Sequence, residues 1–213
     1  MKAISRLLVI VGILLIVTPI VGRVYTHYKQ QQLYAAYIEE IKEKDETEIK
    51  PKVKPNIKVD RNESVLAEAV EEVAPLQDLE INKGDVIGKI KIDKIDVDLI
   101  LLEGVSDKEL GLGVGHIIES AQPGRLGNCA IAGHRNYTFG SMFNRLGEVE
   151  VGDEVELEFM GEKYRYTVQD INIVEPSDIS VLEQDEKQRL LTLITCHPIY
   201  TGTHRLIITA SLK

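Results

Sequence analysis

A thiol, an imidazole and a guanidinium each stand at the edge of an apolar, strand-like run. Leu190–Cys196 is such a run, and Cys196 falls at its tip. After eight intervening residues Arg205 opens the next run, Arg205-Leu206-Ile207-Ile208. A connection this short, holding Pro198 and Gly202, favours antiparallel neighbours, so Cys196 leaves one strand about where Arg205 enters the next. Cysteine attacks as thiolate and needs a base or a cationic partner; a guanidinium can stabilise the thiolate or an oxyanion forming on a substrate carbonyl. The chemistry indicated is that of a cysteine nucleophile.

Five histidines compete for the role of base. His27 lies in the membrane-proximal segment. His197 and His204 adjoin Cys196 and Arg205 directly, and strand geometry turns adjacent side chains to opposite faces. His116 follows a Gly-rich loop. His134 ends the run Ala130-Ile131-Ala132-Gly133 and opens a polar loop, with a rigid strand behind it and solvent ahead, so it is preferred to His116. Cys129 lies five residues before His134 on the same strand, hence on the opposite face, and reads as a small buried hydrophobe. The same geometry disfavours both a Cys129–Cys196 disulfide and a zinc site drawn from Cys129, His134, Cys196 and a terminal-loop histidine. Two acidic patches, Asp93/Asp96/Asp98 and Glu148/Glu150/Asp153/Glu154, have calcium-binding composition but no EF-hand spacing, and read as solvated loop charge. No metal is expected.

The elements that must position these residues follow from the patterning. The chain has 213 residues, a net charge of −9 and a pI near 5.1, with no basic cluster to neutralise nucleic-acid phosphates. Leu7–Gly22 is apolar and preceded by Lys2 and Arg6, which favours a cytoplasmic N-terminus and an exported remainder. Ile4 to Val24 approaches the ~20 residues needed to cross a bilayer. No A-x-A-like cleavage site follows, which favours a retained anchor over a signal peptide. The divisions are therefore a membrane anchor over 1–25, a charged stalk or linker over 26–80, and a catalytic domain over 81–213. Leu33, Tyr34, Tyr37, Ile38 and Ile41 have helical spacing, compatible with a juxtamembrane helix or a solvated stalk. Residues 49–62 read as an extended linker, and 63–73 as a short helix ended by Pro75.

From Val86 the pattern becomes short strands: Val86–Ile92, Val97–Leu102, Asn128–Gly133, a hairpin of Glu154–Met160 and Lys163–Asp170 extended by Ile171–Val174, and the terminal pair. Ser106 and Glu109 form a capping-box pattern opening one helical turn stopped by Gly111, and a loop leads into His116-Ile117-Ile118. Ser180 and Glu183 suggest a second short cap. About eight strands with little helix indicate an all-β, closed or nearly closed β-barrel.

Thr192-Leu193-Ile194-Thr195-Cys196, followed by Arg205 and preceded by Ala130-Ile131-Ala132-Gly133-His134-Arg135, resembles the TLxTC, histidine and arginine segments of the sortases, transpeptidases of the Gram-positive surface. The likeness spans about Val86 to Leu212. It implies an eight-stranded barrel with short helices after an N-terminal transmembrane helix and stalk. It also implies a two-step exchange. Cys196 attacks the carbonyl after threonine in an LPxTG-like sorting signal, with His134 as proton donor, and an amine of a cell-wall precursor resolves the thioacyl-enzyme. Arg205 is expected to hold the substrate or the oxyanion, and Thr195 to assist substrate binding. The acyl group keeps its activation, so no cofactor is expected. The partners implied are surface proteins bearing a C-terminal sorting signal. The short loop Cys-x-Pro-x-Tyr…Thr-His-Arg looks most like class D, with class A next. A mainly hydrolytic cysteine peptidase and a non-catalytic membrane-anchored binding barrel are the competing readings.

Overall fold

The apolar alternation seen in the sequence closes into a barrel in the computed structural model, which describes residues 2–48, 81–135 and 142–213. The strands are β1 (Val86–Ile92), β2 (Val97–Glu103), β3 (Val114–His116), β4 (Gly127–Ala132), β5 (Glu154–Phe159), β6 (Glu162–Val174), β7 (Arg189–His197) and β8 (His204–Leu212). Their order around the barrel is β1-β2-β3-β4-β7-β8-β6-β5. Neighbours are antiparallel except β2/β3 and β4/β7, which are parallel. Alternate residues fill the interior: Ile90, Leu101, Ile131, Leu157, Tyr166, Leu193 and Ile208 are all buried in one core. Tyr166 brings a hydroxyl into that core, and the Gly124 N–H donates to it at 2.8 Å.

Register assigns every strand terminus to one of two ends. Cys196 pairs with Arg205, Ala132 with Ile194, and Ile92 with Val97. Following the pairings round, the 93–96 turn, the end of β4, Cys196 and Arg205 share one end of the barrel. The Met160-Gly161 turn, Gly127 and Leu212 share the other.

Several local expectations need correction. The capping box of Ser106 and Glu109 is present, but α2 (Asp107–Leu112) runs through Gly111 and ends at Gly113, whose N–H reaches the Glu109 carbonyl at 3.0 Å. The segment before His116 is a strand, because Val114–His116 pairs with both β2 and β4. The strand before His134 stops at Ala132, leaving His134 just beyond its end. At 180–182 the turn is a single 3-10 turn; Asp178 rather than Glu183 accepts from both the Ser180 N–H (3.0 Å) and its hydroxyl (2.6 Å).

N-terminal to the barrel, α1 (Lys2–Glu48) is one continuous helix through Pro19. Of the two readings for residues after 25, the helix is the one adopted, and it is not merely solvated: Tyr37 is buried on the barrel wall, its hydroxyl donating to the Ile87 carbonyl at 2.9 Å. Tyr34 donates to Glu158 at 2.7 Å and lies under Lys89, while Gln30 donates to the Leu112 carbonyl at 2.6 Å. The expected linker at 49–62 and short helix at 63–73 lie outside the described residues.

Candidate active site

The site is built from the ends of three adjacent strands. In β7 the core takes Leu191 and Leu193, and in β8 it takes Leu206, Ile208 and Ala210. The alternation of strand side chains therefore turns Cys196 and Arg205 to the outer face, where they oppose one another across the antiparallel pair. In β4 the core takes Cys129 and Ile131, so Ala132 takes the outer face too, and His134 follows two residues on, just beyond the strand end. Parallel pairing of Ala132 with Ile194 brings the end of β4 level with the end of β7, and the Gly133 N–H donates to the Ile194 carbonyl at 3.0 Å. Cys196 and Arg205 thus share one face, and His134 lies at the same end of the barrel. Each is partly exposed, as a group that meets a substrate must be. Ala132, Ile194 and Ile207 lie on the same face behind them, giving the site an apolar floor.

Arg205 is held by its own loop, Nη1 donating to the carbonyls of Gly202 (3.1 Å) and His204 (2.9 Å). Gly202 has φ +59 and neighbours Cys196: a Cβ there would stand at ordinary contact distance, 3.9 Å, from its Sγ. The left-handed backbone suits glycine.

Thr195 departs from expectation. Its parity turns it inward, it is 2 % exposed, and its hydroxyl donates to the Gly133 carbonyl at 2.7 Å. It ties the end of β7, and with it Cys196, to the end of β4; it does not face the outer surface. A threonine next to a strand-end cysteine gives no sequence signal that separates these two roles.

Arg135 is the residue that spacing did not single out. Its side chain crosses back to β7, where Nη1 donates to the Cys196 carbonyl (3.3 Å) and to His197 Nδ1 (3.0 Å); Nε donates to the Asn144 carbonyl (3.3 Å). Burial lowers the guanidinium below its ordinary value, and the Cys196 thiolate acts in the opposite direction. His197 is correspondingly held below its ordinary value by burial, then by Arg135 and His204. Accepting at Nδ1 requires the neutral ring, so geometry and charge agree. The available signal for Arg135 was its place directly after His134 in the polar loop.

The alternatives weighed for the other residues resolve clearly. His116 is 2 % exposed; its Nδ1 meets Glu103 at 3.0 Å and its Nε2 the Ala121 carbonyl at 3.0 Å, a buried structural pair. Cys129 is buried and free, and burial, with Glu103 adding to it, pushes its thiol far up. Lys94 stands between Glu150 (2.7 Å) and Asp153 (2.9 Å), so an ammonium already occupies that acidic patch.

The fold of this barrel is found among solved structures. One is a Clostridium perfringens sortase D5 transpeptidase, 35 % identical with a TM-score of 0.58 over 63 % of this chain and 82 % of that one. Another is a Clostridium perfringens sortase C with the C-terminal cell wall sorting motif, 27 % identical with a TM-score of 0.59 over 63 % and 74 %. The sortase domain profile matches residues 90–213, and the chain belongs to the sortase family. Sortase D of Bacillus subtilis is 32 % identical over 56 % of this chain and 59 % of its own length. Sortase A of Listeria monocytogenes is 27 % identical over 100 % and 91 %.

Proposed function

We propose that the protein is a membrane-anchored cysteine transpeptidase that cleaves an LPxTG-like sorting signal and joins it to a cell-wall amine. The observation that supports this reading is that Cys196 opposes Arg205 across the β7–β8 pair while His134 follows the end of β4 at the same end of the barrel. Cys196 Sγ attacks the carbonyl carbon after the threonine, and Arg205 stabilises the negative charge that develops on the oxygen. The C–N bond breaks as His134 gives a proton to the departing amine. The thioester retains the acyl group's activation, so an incoming amine replaces sulfur without a cofactor. His134 takes the proton from that amine as the S–C bond breaks. The outer-face floor of Ala132, Ile194 and Ile207 suits the apolar part of an extended peptide. The sorting motif in the related sortase C structure supports the substrate class. The Cys196–Arg205 loop and the sortase D relatives support a class D assignment. Lys2 and Arg6 before the apolar run support an extracytoplasmic barrel on the span.

The test is to incubate the full chain, reconstituted in nanodiscs, with LPxTG-type peptides with and without an added amine, beside Cys196→Ala. A Cys196-dependent peptide–amine product by mass spectrometry is expected. Cleavage to the free acid even with abundant amine would replace transpeptidation by hydrolysis. No cleavage across a set of motifs would remove the catalytic reading.

A further inference from the structure

The contacts of α1 run along the barrel in one direction. Gln30 meets Leu112, which leads through Gly113 into β3; Tyr34 meets Lys89 and Glu158, a paired position of β1 and β5. Tyr37 then meets Ile87, near the start of β1. Ile41 comes last, its Cγ2 lying 3.8 Å from where Gly161 would carry a Cβ. Gly161 is in the turn at the barrel end opposite Cys196, and β1 runs from that end toward the catalytic one. The helix therefore passes the barrel from the catalytic end toward the far end, with its apolar N-terminal half leaving on the catalytic side.

The spacing is short. From Val24, the end of the apolar stretch, to Gln30 is six residues, or ~9 Å of helix. The headgroup layer of one leaflet is about 5–7 Å deep, the difference between a core of ~30 Å and a total of about 40–45 Å. The barrel begins where the headgroups end. We propose that docked α1 holds the catalytic end of the barrel against the bilayer surface, so that the Cys196 face meets peptide segments emerging at the membrane and not chains in bulk solvent. The proposal rests on the anchor reading of α1. Val151, 65 % exposed, and Tyr200, 76 % exposed, lie at this end and are among the apolar side chains that the headgroup layer would receive.

The test is independent of activity. Full-length protein carrying Cys196→Ala is labelled with a fluorophore at one introduced cysteine: Val151→Cys at the catalytic end, Leu126→Cys at the far end, or Val21→Cys in the span. Each is reconstituted in phosphatidylcholine vesicles containing a nitroxide-headgroup lipid. The expected result is quenching severalfold stronger at position 151 than at 126. Equal or reversed quenching, with position 21 still buried in lipid, overturns the orientation alone. Loss of lipid contact at position 21 overturns the anchor and the orientation together. A second variant inserts seven helix-forming residues after Tyr28, two turns that keep the docking face aligned and add ~10 Å. It is expected to reduce quenching at 151 toward the value at 126; unchanged quenching overturns the proposal.

Discussion

The two cysteines differ by environment, and the difference is measurable. Cys129 faces the core with its thiol pushed far up by burial, whereas Cys196 is partly exposed. A methanethiosulfonate reagent is expected to modify one thiol per folded chain, and none in Cys196→Ala, as read by intact mass; two modified thiols would contradict the placement of Cys129. His134→Ala is expected to lower turnover by about 10²–10⁴, the range for loss of a positioned acid–base. Arg135 acts through other residues. Arg135→Gln removes charge-assisted bonds to the Cys196 carbonyl and His197, and is expected to cost about 1–3 kcal/mol in unfolding free energy. His197 gives a pH signature. Its folded value lies below the ordinary 6.5, so as pH falls below 6.5 the unfolded chain binds a proton that the folded ring does not yet accept. Stability therefore declines with acid in that window, and above it the group contributes nothing. His197→Gln keeps an acceptor for Arg135 but does not titrate, and should flatten the acid limb of a denaturation series below pH 6.5.

At the scale of elements, the decisive contacts are those that hold the end of β4 against the end of β7. Thr195→Val removes the hydroxyl bond to the Gly133 carbonyl and leaves a buried acceptor unpaired, with an expected loss of about 1–3 kcal/mol in denaturant unfolding. Gly133→Ala places a Cβ 2.5 Å from Phe143 Cδ2, an overlap that Phe143, fully buried, has little room to relieve; the melting temperature should fall more than for Thr195→Val. These elements were legible to different degrees. Strands such as Glu154–Phe159 alternate between a packed and a wet face, so period alone revealed them. The β7–β8 pairing was legible because its loop is short, and it gave the Cys196–Arg205 juxtaposition directly. The parallel pairing of β4 with β7 was not, because no local signal links segments some sixty residues apart; His134 was placed by its strand-end position and by resemblance. Arg135 and the inward turn of Thr195 depend on that same long-range register, which is why neither was recognised. The docking of α1 was half visible: Leu33, Tyr34, Tyr37 and Ile41 announced an apolar helix face, but not the surface covering it.

For the whole molecule, the order of strands has a consequence for assembly. The β7–β8 hairpin follows the other six strands in the chain, yet it lies between β4 and β6 and closes the barrel. Its outer strand contacts are non-local, and contacts of this kind carry a loop-closure cost that slows folding. Cys196 and Arg205 can meet as soon as the hairpin forms, but His134 joins them only when β7 pairs with β4. Until that closure the thiol has its guanidinium neighbour without its imidazole. The completed barrel is thus the condition under which thiol, guanidinium and imidazole are brought to one end of the molecule.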